Sequence, residues 1–537
     1  MIEFRTHPAS YRHWTLDIDG PIATLALQVD PTAPAIGDYE LKLNSYDIGV
    51  DIELADAIRR VRFEHPAVRC VVLTGGLEGT FCAGANIRML AGADHSHKVN
   101  FCKFTNETRL EIEDASARSG IRFLAAVNGA CSGGGYELAL ACDHILLVDD
   151  RNSAVSLPEV PLLGVLPGTG GLTRLTDKRH VRRDRADVFA TKAEGIRGAE
   201  AVEWGLVDTL APRTGFEAAT TQRAQELASA SPRTSGTAHP LPLIERTTEG
   251  DLVQYTYVSV HIDRTQRAAH LILDVAATDD WLLRAALELD DAIVHLRFNE
   301  PLLATITIAT RGAAATAMAH DQRLAAADSI DAAEWEIRLL WERVLRRLDL
   351  TAKTLLAVIE PGSCFVGFLA ELSFAADRSY MLDGRFEDDD NPLPPAEIQL
   401  TSLNFNQMLM SNGIDRLTSR FWGDDAARQR AASAVGRPLD AGEAATLELI
   451  TSAPDDLDWH DEIRLAIEER ASYSPDALTA MEANHRFCGP ETMATKIFAR
   501  LSAWQNWIFT RPNAVGPEGA LRRYGSGSRP TFDYHRT

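Results

Sequence analysis

The chain has 537 residues, 45% of them hydrophobic and 24% charged, with a formal net charge of −22 at neutral pH. This is ordinary globular composition with room for more than one core, and the acidic excess argues against nucleic acid and anionic membranes as partners. Seven scattered cysteines give no disulfide framework, the opening M-I-E-F-R-T-H-P has no apolar leader, and no run of 18 apolar residues occurs, so a reduced, cytoplasmic protein is expected.

Alternating apolar and polar residues predict strands over 14–19 and 22–28. The apolar run 70–73 reads as a buried strand ended by Gly75 and Gly76, and the loop Ala83-Gly84-Ala85 opens the next helix. His95 and His97 form a pair without the further ligands a metal site needs, and Cys102, alone in N-F-C-K-F, reads as packing. The most informative stretch is 130–142, A-C-S-G-G-G-Y-E-L-A-L-A-C. Three glycines run into a helical apolar pattern with Glu137 in its first turn. Such a start brings free N–H groups close to a ligand, and the helix dipole favours negative charge there. A carboxylate beside those donors can move a proton next to a stabilised oxyanion; the plainer reading is a glycine-capped helix with a surface Glu.

A second carboxylate, Glu159, lies in S-L-P-E-V-P-L-L-G-V-L-P-G-T-G-G at 156–171. Ser132 and Ser153 have no His/Asp arrangement beside them, and no cluster shows metal-ligand spacing. Helices are expected at 199–206, 216–229, 441–449 and 461–471. The aromatics of 497–509, I-F-A-R-L-S-A-W-Q-N-W-I-F, read mostly as an ordinary core face.

The chain also repeats itself. I-E-L-A-D-A-I at 52–58 recurs as L-E-L-D-D-A-I at 287–293, and R-F-E-H-P at 62–66 recurs as R-F-N-E-P at 297–301. C-V-V-L-T-G-G at 70–76 matches I-T-I-A-T-R-G at 306–312, Glu137-Leu138 matches Glu371-Leu372, and Asp143 matches Asp377. The offset stays near 235 over about 90 residues, so two related units in tandem are expected. The boundary falls near the polar, Pro- and Ser-bearing stretch 229–242, giving units 1–240 and 241–537.

F-C-A-G-A-N-I, G-G-G-Y-E-L-A-L-A-C-D and P-E-V-P-L-L-G-V-L-P-G-T-G-G occur in the order and spacing of the crotonase (enoyl-CoA hydratase/isomerase) superfamily, which the chain resembles. The resemblance implies an α/β fold: two tandem crotonase-like spirals of ββα turns with C-terminal helical segments. It implies an oxyanion hole for a CoA-thioester carbonyl at the N–H groups of Ala85 and Gly134, with catalytic carboxylates at Glu137 and Glu159. CoA contacts are expected around Lys42, Ala83 and Arg88, with Arg522 or Arg523 as further candidates. In the second unit the Gly134 place falls on Phe368, and the A-G-A loop falls on 317–322, which has no glycine. Glu371 and Glu397 remain as counterparts of the two carboxylates and read as structural. This degenerate unit is expected to act as a scaffold, its C-terminal helix covering the CoA site.

Within the superfamily, the tandem length and the tail Q-N-W-I-F-T-R-P-N-A resemble the benzoyl-CoA-dihydrodiol lyases. That resemblance implies a lyase that opens the ring of 2,3-epoxy-2,3-dihydrobenzoyl-CoA with water, giving 3,4-didehydroadipyl-CoA semialdehyde and formate. It implies no cofactor beyond the CoA carried by the substrate, no metal, and Cys102 as a base for deformylation. A homo-oligomer is expected, with a dimer favoured. Two other classes stay open: an enoyl-CoA hydratase/isomerase with an appended scaffold, and a non-catalytic CoA-binding protein. Formate release against crotonyl-CoA hydration separates the first two, and the paired carboxylates count against the third.

Overall fold

The apolar runs V-V-L, F-L-A-A-V and I-L-L-V become central strands, as expected for strands covered on both faces. The computed structural model describes residues 1–328, 331–386 and 393–537. The chain divides into two units, Met1–Leu241 with Asp328–Glu336, and Pro242–Ala327 with Ile337–Thr537.

The first unit opens with the hairpin β1 (Trp14–Asp19) and β2 (Ile22–Leu27), then α1 (Ile48–Phe63). Three turns of a spiral follow. The first is β3 (Cys70–Gly75) and β4 (Gly79–Cys82) with α2 (Ile87–Gly92) and α3 (His95–Arg118). The second is β5 (Arg122–Val127) and β6 (Gly129–Ser132) with α4 (Gly134–Ala141). The third is β7 (His144–Asp149) and β8 (Val155–Ser156) with α5 (Gly171–Thr173) and α6 (Arg183–Thr191). The unit closes with α7 (Gly198–Glu203), β9 (Thr209–Pro212) and α8 (Phe216–Ser229).

Each turn gives one strand to a main sheet, β1-β2-β3-β5-β7-β9, and one to a small parallel sheet, β4-β6-β8. The main sheet is antiparallel only between β1 and β2. Helix α8 covers its outer face, laying Ala224, Leu227 and Ala228 on Val72, Leu124 and Leu146.

The second unit repeats this plan after two extra strands, β10 (Thr247–Glu249) and β11 (Leu252–Gln254). It runs through β12 (Val258–Asp263), β13 (Ala268–Asp274), α9 (Trp281–Asn299), β14 (Thr305–Arg311), α10 (Ala314–Ala326) and α11 (Ala332–Asp349). Then come β15 (Thr354–Ile359), β16 (Phe365–Val366), α12 (Ala370–Ala375), β17 (Arg378–Met381), β18 (Ile398–Gln399) and β19 (Pro438–Leu439). The main sheet is β10-β11-β12-β13-β14-β15-β17, parallel from β13 onward, and β16-β18-β19 form the small one. The helix Trp459–Ser472 packs Trp459, Ala466 and Ile467 on Leu356 and Tyr380, much as α8 does in the first unit.

The repetition reaches single atoms. Buried Glu53 on α1 accepts the N–H groups of His13 (2.9 Å) and Trp14 (3.0 Å) at the start of β1. Buried Glu288 on α9 accepts those of Tyr257 (2.6 Å) and Val258 (3.2 Å) at the start of β12. Asp143 accepts the Phe123 N–H at 2.7 Å, and Asp377 accepts the Leu355 N–H at 2.8 Å.

One expectation fails. The helical run from Met493 to Ile508 has no buried residue, and Phe498 is 75% exposed, so its aromatics are not a core face. No helix among the described residues is long and apolar enough to cross a membrane.

Candidate active site

Adjacent strands β4 and β6 end in Ala83-Gly84-Ala85 and in Gly133, so the small sheet delivers both loops to one place. Gly84 has φ +87, and a Cβ there would stand 2.9 Å from Gly134 N and 2.9 Å from Ser132 O. Gly133 has φ +53 and donates its N–H to Ser156 O at 2.9 Å. Tyr46 N–H donates to Gly84 O at 3.0 Å and Asn86 N–H to Tyr46 O at 2.8 Å, which pins the Ala85 loop to the segment leading into α1. Among the described residues, neither the Ala85 nor the Gly134 N–H has an acceptor. Two unused donors this close together can stabilise an oxygen on which charge develops.

Glu137, on the first turn of α4, is buried. Three donors fix its carboxylate: Thr169 N–H at 2.9 Å, Gly171 N–H at 2.8 Å and the Thr169 hydroxyl. Glu159 begins the turn Glu159–Leu163 after β8. Its Oε1 lies 2.6 Å from where a Cβ on Gly133 would stand, and its Oε2 is buried without a hydrogen-bond partner. Burial pushes Glu159 up to about 7, and the Glu137 charge adds to the rise. A carboxylate that titrates near neutrality, with a free oxygen, can take and return a proton. The residues after it, including Val160, Leu162 and Leu166, are exposed and form an apolar rim.

Cys102, on α3, places its sulfur 3.7 Å from the Cβ position of Gly168, in the loop that carries Thr169. Burial, with a contribution from the Glu137 charge, pushes the thiol up to about 11. Burial thus works against the thiolate that a base role at this position requires.

The expected CoA contacts share one exposed lip. Ala83 N–H donates to Leu43 O at 3.1 Å, and Asn86, which caps α2 beside Arg88, donates to Glu40 O at 2.9 Å. Lys42 stands on this lip, paired with Glu40 at 2.9 Å and 66% exposed. Arg522 and Arg523 belong to the second unit, where Arg523 pairs with Glu518. His95 and His97 begin α3, which Asp94 caps by accepting the His97 N–H. Among the described residues no three or more His, Cys, Asp or Glu side chains group to hold a metal ion.

The second unit keeps the frame and changes the contents. Its small sheet pairs Phe365 with Ile398 where the first pairs Cys131 with Val155. By that register Ser402 occupies the place of Glu159. Glu397 precedes β18 and is exposed, so it is not the counterpart that the residue pattern suggested. Glu371 is fully buried, and Asn404 (2.7 Å) and Arg416 (3.0 Å) hold its carboxylate. Arg416 also pairs with Asp349 at 2.7 Å.

Residues 40–255, which hold both loops and both carboxylates, match the enoyl-CoA hydratase/isomerase family. The chain is 50% identical to benzoyl-CoA-dihydrodiol lyase of Aromatoleum evansii over 554 aligned residues, covering 100% of this chain and 98% of that protein. The chain belongs to the crotonase superfamily. This crotonase is also similar to the fatty acid oxidation complex subunit alpha of Idiomarina loihiensis, 34% identical over 148 residues, which cover 28% of this chain and 20% of that one. An enoyl-CoA hydratase structure from Geobacillus kaustophilus HTA426 aligns with a TM-score of 0.36 at 34% identity, over 41% of this chain and 75% of that chain.

Proposed function

We propose that this crotonase is a ring-cleaving lyase acting on an activated benzoyl-CoA. One 2,3-epoxy-2,3-dihydrobenzoyl-CoA and two waters give 3,4-didehydroadipyl-CoA semialdehyde and formate. The observation that carries this reading is the likeness to benzoyl-CoA-dihydrodiol lyase along the whole chain, since a hydratase likeness accounts for residues 40–255 alone.

The thioester oxygen would lie between the N–H groups of Ala85 and Gly134. Charge pushed toward the carbonyl then becomes an enolate oxygen held by two donors. Glu159 takes the proton of the first water as it adds to an epoxide carbon; the epoxide C–O bond breaks, and the alkoxide left on the neighbouring carbon receives that proton to give a diol. Glu137, fixed by Thr169 and Gly171, holds water against the ring. Cleavage between the two oxygenated carbons sends its electron pair into the conjugated thioester, and the second water releases the one-carbon fragment as formate. Cys102 lines the same wall as a neutral thiol, so its part is to give a proton or to pack. Lys42 and Arg88 supply local positive charge for CoA phosphates on an acidic protein, and the rim of Leu162 and Leu166 meets the ring.

No cofactor is called for beyond the CoA on the substrate. The second unit serves as a scaffold. We place the enzyme, as a homodimer, in the cytoplasm.

The test incubates the purified protein with epoxybenzoyl-CoA without oxygen and follows formate. Brisk hydration of crotonyl-CoA with no formate would replace this reading with an enoyl-CoA hydratase, which the family match over 40–255 favours as the alternative. Binding of both esters with turnover of neither would leave a CoA-binding protein.

A further inference from the structure

In the first unit the turn at Gly133 leaves the Gly134 N–H without an acceptor. The second unit makes the same turn. Gly367 has φ +57, against +53 at Gly133, and Phe368 follows it where Gly134 follows Gly133. Here the N–H is not open. Phe368 N–H donates to Oδ1 of Asp321 at 2.7 Å, and the Thr401 hydroxyl donates to the same oxygen at 3.2 Å. A Cβ on Gly367 would fall 1.9 Å from that oxygen, so the glycine is what lets the carboxylate in.

Asp321 comes from α10, the helix that stands in the chain where the Ala85 loop stands in the first unit. It is 2% exposed and makes no ion pair among the described residues. Burial pushes its carboxyl up to about 6, and no cation offsets that cost. A buried carboxyl kept under those conditions is explained by what it occupies.

We infer that the second unit retains an oxyanion-binding position and that its ligand is built in: the Asp321 carboxylate sits where a thioester oxygen would otherwise lie. The unit is a closed copy of the site, and its ligand class is a small carboxylate supplied by the chain itself. This rests on the proposed role of the Gly134 N–H. The test reads the second unit alone, so failure of the formate assay would leave its outcome unchanged.

The experiment is amide hydrogen exchange on the full chain, native and Asp321→Ala, with sodium formate or with sodium chloride at the same concentration. Formate restores the carboxylate that the substitution removes. Expected are exchange at least about tenfold faster across residues 367–371 in the variant, slowing with formate but not chloride, and unchanged exchange across 133–137. Unchanged exchange in the variant would overturn the inference, as would faster exchange indifferent to formate, which would reduce Asp321 to a packing residue. If Asp321→Ala does not fold, Asp321→Asn keeps the shape and an acceptor oxygen without the charge. Exchange at 367–371 should then rise several-fold; native-like exchange would show that the charge is not what the position holds.

Discussion

Glu137 and Glu371 occupy the same turn of the same helix in the two units, and their surroundings differ. Glu137 is held by neutral donors, Thr169 and Gly171, close to the open N–H groups. Glu371 is held by Arg416. In the first unit the arginine after the glycine-rich loop, Arg174, turns to Glu113 at 2.9 Å and to Thr169 O at 3.0 Å, leaving Glu137 without a salt bridge. A carboxylate kept in place is therefore poor evidence of chemistry kept in place. What separates a reactive acid from a structural one is whether a cation already uses it and whether unoccupied donors lie beside it.

The largest expected effect comes from closing the open donor. Gly134→Pro removes the N–H, and any side chain at 134 meets the Tyr46 hydroxyl, 1.9 Å from the Cβ position. Loss of one such donor costs about 10²–10³ in rate, and the added collision should abolish turnover; measurable turnover would move the thioester oxygen elsewhere. Next come Glu137→Gln and Glu159→Gln. Each should lower turnover at least about a hundredfold while calorimetry still finds CoA-ester binding. Near-normal turnover removes that residue from the mechanism.

The pH profile sharpens the pair. With Glu159 near 7, a base acts only once it has lost its proton, so kcat/KM should rise with pH through a limb near 7. A profile flat from about pH 6 to 8 would take Glu159 out of proton transfer. The smallest effect on activity belongs to the second unit. Glu371→Ala leaves Arg416 short of a partner and should cost about 3 kcal/mol of stability in denaturant unfolding. Turnover should stay within a few-fold, as it should for exposed Glu397→Gln. A loss as large as that for Glu137 would place chemistry in the second unit.

Much of this was legible from the residues. The glycine run, both first-unit carboxylates and the Ala85 loop stand in continuous motifs, because each packs against its near neighbours in the spiral. The offset near 235 exposed the tandem plan, because Glu53 and Glu288 hold the same place on corresponding helices and do the same work, although the strands they clamp lie 39 and 30 positions before them. Other features depend on register or on contacts distant in sequence. Glu397 matched a proline-glutamate pattern, but strand pairing sets the counterpart, and it falls on Ser402. Thr169 and Gly171 are small loop residues whose role shows only when their donors reach Glu137, more than thirty positions away. Asp321 gave no signal at all, since a lone acid on a helix reads as surface. The C-terminal aromatics suggested burial by composition, yet none is buried, and Phe498 and Phe509 are exposed.

The paired clamps bear on how such a polypeptide reaches its native state. Two modules this alike could exchange hairpins during collapse, each clamped strand finding the other module's glutamate, and misassembly between like domains is a characteristic trap. The clamp partners are close in sequence: Trp14 is 39 positions from Glu53, and Val258 is 30 from Glu288. A ribosome adding about 5–20 residues per second finishes the first pair roughly ten seconds or more before the second glutamate exists. The order of synthesis thereby sorts two hairpins that their shapes alone would leave interchangeable.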